Sequence, residues 1–473
     1  MEPFEINIQQ YNLLSILELG SNILLKKFNE HKAIDSITVP NGKISLNAWD
    51  ISDINYYAIL NTHEFIDKNC NFENYIYIVN DFLKYDQFLS KNITEAPLEL
   101  NKQVLLLLWG LSRKEFWYQE QYKINDDFNR QIELLENIND NDELNLDNAC
   151  MEETGFSIYE YRMLLLTLAG LGSNNHDMSN LQIVNSELSK LPFINNYNLI
   201  KVRDLLTTSY NEVRKSKYKE QVFYIYPIIK TLNNKHICLN QYLLYRKIAE
   251  GPLWAIRNYY KKHGTKKFLI YYGKLFEKYV SKIFEYYVPK DRYFRIKENN
   301  NVKSADWILE TPNYHIIIEQ KAFIPELMLM DKYPEKEKID NYLEKYEKAF
   351  LQLESTNTIH PSSKSTLKII LHYDQLHIAN TLIKDHILER LDDKLKSKND
   401  FYLMDISSFE RLITIYKSDI GLFDQVLSEK RENSLGKNKD GYEYDQILSK
   451  YHIYENKNDF LGRDHWATYI LKN

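Results

Sequence analysis

The stretch Ala305-Asp-Trp-Ile-Leu-Glu-Thr-Pro-Asn-Tyr-His-Ile-Ile-Ile-Glu-Gln-Lys-Ala-Phe323 decides the architecture of the chain. Its centre, Thr311-Pro-Asn-Tyr314, is turn chemistry: proline pre-sets φ and asparagine bonds nearby backbone. The run Ile316-Ile-Ile318 marks the arm after the turn as a buried strand. Strand side chains alternate, so Glu319 and Lys321 share one face. A four-residue hairpin loop pairs Glu310 with His315, and the same register sets Asp306 opposite Glu319. Directly opposed residues have Cβ atoms about 4.5–5.5 Å apart. Two carboxylates at that spacing repel unless a cation sits between them. A hard divalent ion, Mg²⁺ or Mn²⁺, takes oxygen ligands of this kind. A one-residue slip would undo the arrangement.

Working outward, residues 273–288 (GKLFEKYVSKIFEYYV) form a strongly amphipathic helix. With Phe276 at 0°, Glu277 falls at about 100°, inside the apolar arc that meets the sheet. Strands follow at Tyr293–Lys297, Ala305–Glu310 and Tyr314–Phe323, then a helix at Lys338–Glu354 and a strand at Leu367–Tyr373. A last strand, Phe401–Ile406, runs into Ser407-Ser-Phe-Glu410, which reads as a capping box opening a helix to about Lys417. The order α-β-β-β-α-β predicts a mixed sheet flanked by helices. On the second helix, Lys345 and Gln352 are polar candidates, but Gln352 lies at about −140° from the apolar stripe and reads as solvent-facing.

A helix with Glu277, a strand with Asp306 and a following strand with Glu319-Gln-Lys321 resemble the PD-(D/E)XK nuclease superfamily, over about residues 265–420. The literal Pro-Asp is absent, since Ala305 precedes Asp306. The resemblance implies a restriction-endonuclease-like fold and a metal-dependent nuclease, with DNA the favoured substrate. It assigns Asp306, Glu319 and the Gln320 carbonyl to Mg²⁺ or Mn²⁺, catalysis to Lys321, and completion of the carboxylate cluster to Glu277. A Gln or Lys on the second core helix is a further feature of the family. A large accessory region on such a nuclease resembles bacterial restriction or anti-phage defence proteins. Two alternatives stand beside it: an inactive nuclease fold acting as a nucleic-acid-binding or scaffolding subunit, and a metal-independent HEPN-like ribonuclease, whose Arg-x₄₋₆-His form is matched by Arg257 and His263.

The rest of the chain bounds this reading. It has 473 residues, 44% hydrophobic and 27% charged, with only 13 Gly and 11 Pro, which argues against a repetitive all-β sandwich or propeller. The expected class is α+β: a mostly helical accessory region over 1–260, the nuclease-like domain over 261–425 and an extension over 426–473. Helices are expected around Leu13–Phe28, Tyr75–Leu89, Gln103–Glu120 and Ile158–Leu171. Three scattered cysteines offer neither a zinc ribbon nor a disulfide framework. Net charge is −6 but uneven. Residues 126–153 carry ten carboxylates against one arginine, and 137–153 reads as an exposed acidic loop. Residues 261–330 are net basic. Lys261, Lys262, Lys266 and Lys267, with Arg292, Arg295 and Lys297, are candidates for phosphate contact. No Walker A motif, secretory signal or bilayer-length apolar run is present, so the expectation is a cytoplasmic protein with nucleic acid as partner, no membrane, and a possible partner subunit or homo-oligomer.

Overall fold

The computed structural model describes residues 3–39, 42–94, 118, 124–138, 143–182, 190–296, 303–323, 329, 335–373, 383–384, 387–388, 390–391, 400–435, 443–453 and 459–462. The chain is mixed α+β. The longer helices before the main sheet are α1 (Leu13–Asn29), α2 (Ala48–Asn61), α3 (Phe72–Thr94), α4 (Ile124–Ile132), α5 (Leu146–Thr154), α6 (Ile158–Gly172), α7 (Asn196–Leu205) and α8 (Gln241–Lys262). The expected helix over Gln103–Glu120 lies outside the described residues, Tyr118 excepted. Two small sheets interrupt this helical part: the hairpin β1 (Ser36–Val39) and β2 (Gly42–Ser45), and β3 (Thr207–Ser209), β4 (Ile228–Lys230) and β5 (His236–Cys238). Strands of three or four residues are too short to print a period of two, which hides them in a sequence reading.

The second half follows the expected order. It runs α9 (Lys267–Tyr287), β6 (Tyr293–Arg295), β7 (Trp307–Glu310), β8 (Tyr314–Lys321), α10 (Lys336–Ile359), β9 (Ser365–His372), β10 (Phe401–Asp405) and α11 (Ile406–Leu412). The five strands form one mixed sheet in the order β10-β9-β8-β7-β6. β6, β7 and β8 are antiparallel, while β8, β9 and β10 are parallel. Glu310 pairs with His315 and Trp307 with Ile318, which is the register that the four-residue turn requires.

The sheet is buried on both faces. Trp307, Leu309, Ile316 and Ile318 share a core with Phe276, Tyr279, Val280, Ile283 and Phe284 of α9. Ile308, Ile317 and Ile370 face Ile339, Leu343, Tyr346, Phe350 and Leu353 of α10. Each such side chain contributes about 1.5–3 kcal/mol by leaving water.

The α9-side core does not stop at residue 260. It runs without a break through α4–α8, α9, the sheet and the tail residues Tyr444, Ile447 and Leu448. A separate core holds α1–α3 together with residues 210–243. Gly251 lets α8 approach α6 closely, since a Cβ there would meet Leu165 Cδ1 at 2.6 Å. A polar joint crosses the same boundary. Arg130 of α4, 1% exposed, donates from Nε and Nη2 to the Glu410 carboxylate at 2.6 and 2.7 Å and reaches Ser407 Oγ at 3.1 Å. Tyr279 OH donates to the same carboxylate at 2.5 Å. Gln131 donates to the Tyr272 hydroxyl at 3.1 Å and to that of Tyr373.

This joint corrects the capping-box reading at 407–410. The cap of α11 is Asp405, which accepts the Ser408 N–H at 3.0 Å, and Glu410 is buried on Arg130 instead. The acidic loop is corrected too. Residues 139–142 lie outside the described residues, but Leu146–Thr154 is helix, capped by Asn145 and ended by Gly155 at φ 82°. Leu146, Ala149 and Cys150 recur at i, i+3 and i+4 and bury that face. Among the described residues no helix is long and apolar enough to cross a membrane.

Candidate active site

β8 carries the centre of the site. Ile317, Glu319 and Lys321 alternate onto the face covered by α10, and Asp306 stands at the bend that leads into β7. The Asp306 backbone is held from both sides: its N–H donates to Ile318 O at 3.1 Å and its carbonyl accepts from Ile296 N at 2.9 Å. Its Oδ2 accepts the Gln320 N–H at 2.8 Å, which turns the carboxylate toward β8. The Asp306 and Glu319 carboxyls are close enough to act on each other's ionisation. Glu319 is 1% exposed.

Lys321 Nζ donates to Glu319 Oε1 and, at 3.1 Å, to Gln352 Oε1 on α10. Gln352 in turn donates to Ser304 O at 3.0 Å. So Gln352 is not solvent-facing. The wheel weighed only apolar residues, and the edge of α10 that meets the site is polar. Thr356, at about −100° on the same wheel, is fully buried, and Gln352 borders it.

Burial, and then the neighbouring Asp306 carboxylate, push the pKa of Glu319 well above its ordinary range, against the pull of Lys321. Burial also raises Asp306, opposed by the Gln320 N–H and by Lys321. Glu319 Oε2 is buried and has no hydrogen-bond partner among the described residues. Two adjacent carboxyls with an unsatisfied oxygen fit a hard divalent cation. Among the described residues no cluster of three or more His, Cys, Asp or Glu gathers as a cation site. Asp306 and Glu319 would therefore share such an ion with backbone, water or substrate oxygens. The Gln320 side chain is committed elsewhere, since its Oε1 accepts from Trp307 Nε1 at 3.2 Å.

This electrostatic load has a direct consequence for stability. Below its ordinary value of 4.5, Glu319 is protonated in the folded and the unfolded chain alike. As pH rises through the elevated folded-state pKa, the folded protein must ionise an acid that the unfolded chain has already ionised, and stability is lost. Glu319→Gln should therefore raise the melting temperature of metal-stripped protein at pH 8, because the variant carries no acid to ionise at that buried position. The gain should vanish toward pH 4. Scanning calorimetry that finds the variant less stable at pH 8 would refute this account.

The other candidates sit around this centre. Glu277 is on α9, across the sheet from Lys321 and Gln352, and its carboxylate forms an ion pair with Arg295 of β6. The Arg295 charge also acts on Asp306, lowering its pKa, so this pair borders the cluster. Arg292 is exposed beside Asp291 at 3.5 Å. Lys261, Lys266 and Lys267 are exposed where α8 turns into α9, and Lys297 lies outside the described residues. Lys262 is bridged by Glu153 and Lys274 by Glu143, each at 2.7 Å, so the acidic segment docks on part of the basic flank. Lys345 lies over the Phe323 and Tyr342 rings. Arg257 stacks on Trp254, and His263 Nδ1 meets Tyr259 O at 2.8 Å at the end of α8. No family model, curated protein or solved structure matches the chain.

Proposed function

We propose that the chain is a metal-dependent nuclease that hydrolyses phosphodiester bonds, with DNA the favoured substrate and a restriction-endonuclease-like domain around β6–β10. The observation that carries this reading is the meeting of Asp306, Glu319, Lys321 and Gln352 on one face of the sheet. Two carboxylates pressed together inside a protein are costly without a purpose. Asp306 and Glu319 would hold Mg²⁺ or Mn²⁺, which when bound polarises a phosphoryl oxygen.

The chain's own side chains then have distinct tasks. Glu319 and Asp306 draw the Lys321 ammonium to the phosphate side of the site. Lys321 donates to a non-bridging phosphate oxygen as charge grows there, or holds the attacking water. Gln352 fixes the Lys321 ammonium from α10, so its position does not depend on Glu319 alone. In the reaction, a water oxygen bonds to phosphorus, the bond to the bridging ester oxygen breaks, and that oxygen leaves with a proton.

Purified protein should cut duplex oligonucleotide or plasmid in Mg²⁺ or Mn²⁺, and EDTA should abolish cutting. Asp306→Asn should weaken Mn²⁺ binding at least tenfold by calorimetry, because an anionic ligand is gone. Cleavage that persists in EDTA would point instead to metal-free chemistry of the Arg257 and His263 kind. Cleavage and Mn²⁺ affinity both unchanged in Asp306→Asn would remove the site from the reaction.

A further inference from the structure

We propose that Thr356 is a positioning residue of this site, acting on Asp306 through the backbone that precedes it. The inference rests on the nuclease reading above and adds a part that no motif contains. Residues 303–306 lie outside the strand, because β7 begins only at Trp307. Ser304 and Ala305 are nevertheless buried, 8% and 1% exposed. Buried peptide groups without a ladder need other partners.

α10 supplies them. Thr356 Oγ1, fully buried, accepts the Ala305 N–H at 2.7 Å. One turn earlier, Gln352 Nε2 donates to the Ser304 carbonyl at 3.0 Å. Positions i and i+4 of a helix lie one above the other, so the two side chains form a single clamp. The clamp holds the segment entering Asp306 from the α10 side, while Ile318 of β8 and Ile296, just after β6, hold Asp306 itself. Between them they set where the Asp306 carboxylate stands relative to Glu319. Small displacements of such groups are costly in a site that depends on fixed geometry. The Gln352 half of the clamp also touches Lys321, whereas the Thr356 hydroxyl bonds the Ala305 N–H, which makes it the cleaner probe.

The test uses the full chain and three variants. Thr356→Val keeps the volume and deletes the acceptor. Thr356→Cys keeps the volume with a weaker sulfur acceptor and carries less risk to folding. Thr356→Ser restores the hydroxyl. Calorimetric titration with Mn²⁺ alone, in the absence of nucleic acid, should show binding weakened about tenfold in Thr356→Val, less in Thr356→Cys, and near wild type in Thr356→Ser. Cleavage of a duplex oligonucleotide should lose kcat by about tenfold or more in the valine variant, with KM within twofold. A purely structural role would lower the melting temperature and leave Mn²⁺ affinity and kcat of the folded fraction unchanged. Folded valine or cysteine variants that bind Mn²⁺ and cut as wild type does overturn the inference and leave the nuclease reading intact. Wild-type protein that binds no Mn²⁺ overturns both.

Discussion

Replacing Lys321 by alanine should lower the cleavage rate about 10³-fold, the scale found when a donor aimed at developing charge is removed. The fold and the affinity for uncut DNA should stay near wild type, because in the proposed reaction the lysine serves the transition state more than the ground state. The geometry explains the size of the effect. Its ammonium has two fixed acceptors, Glu319 and Gln352, on two different elements. The change also removes a cation in direct contact with Glu319, so Glu319 should hold its proton to a still higher pH. The acid limb of the rate profile should move upward with it. Single-turnover cleavage of a labelled duplex across pH 5–9 would show both. A variant that cuts as fast as wild type would exclude Lys321 from the chemistry.

Arg130→Met should destabilise the fold by about 3–5 kcal/mol, because it strands the buried Glu410 carboxylate and removes the partner of Asp127. Glu410 is 2% exposed and would keep only the Tyr279 hydroxyl of its described hydrogen-bond donors. The variant should melt about 10 °C below wild type, and Arg130→Met with Glu410→Leu should regain much of the loss. Denaturant titration of the two singles and the double gives the coupling directly. Singles that each fall within about 0.5 kcal/mol of wild type would show that the pair is dispensable.

What could be read from the letters follows from the physics of each signal. The Asp306–Glu319 juxtaposition was legible because Pro312 and Asn313 fix a turn, a turn fixes a register, and the register holds over the four pairs that lead up to it. Glu277 was legible as a charge inside an apolar arc, but its partner was not, since Arg295 reaches it from a strand of three residues. Gln352 and Thr356 were hidden because hydrophobic periodicity records only apolar side chains, and a buried polar edge looks like surface. Helix α5 had its signals in Asn145 and Gly155, yet the Asn/Asp-rich, acidic composition of 137–153 outweighed them as a loop signature. Glu410 had the spacing of a cap, and only the distant Arg130 gives it another purpose.

The unbroken core through residue 260 constrains how this chain can have been inherited. A recombination event that joined a foreign accessory region to α9 would have to bring its own matches for Phe268, Tyr272 and Phe276, which pack within one core with Phe128, Leu164 and Leu168. It would also need a guanidinium for Glu410 and an amide for Tyr272 and Tyr373. Gene shuffling works where few contacts cross a boundary. Here many do, so the two halves should descend as a unit, and substitutions at Arg130 and Glu410 should be traded together rather than singly.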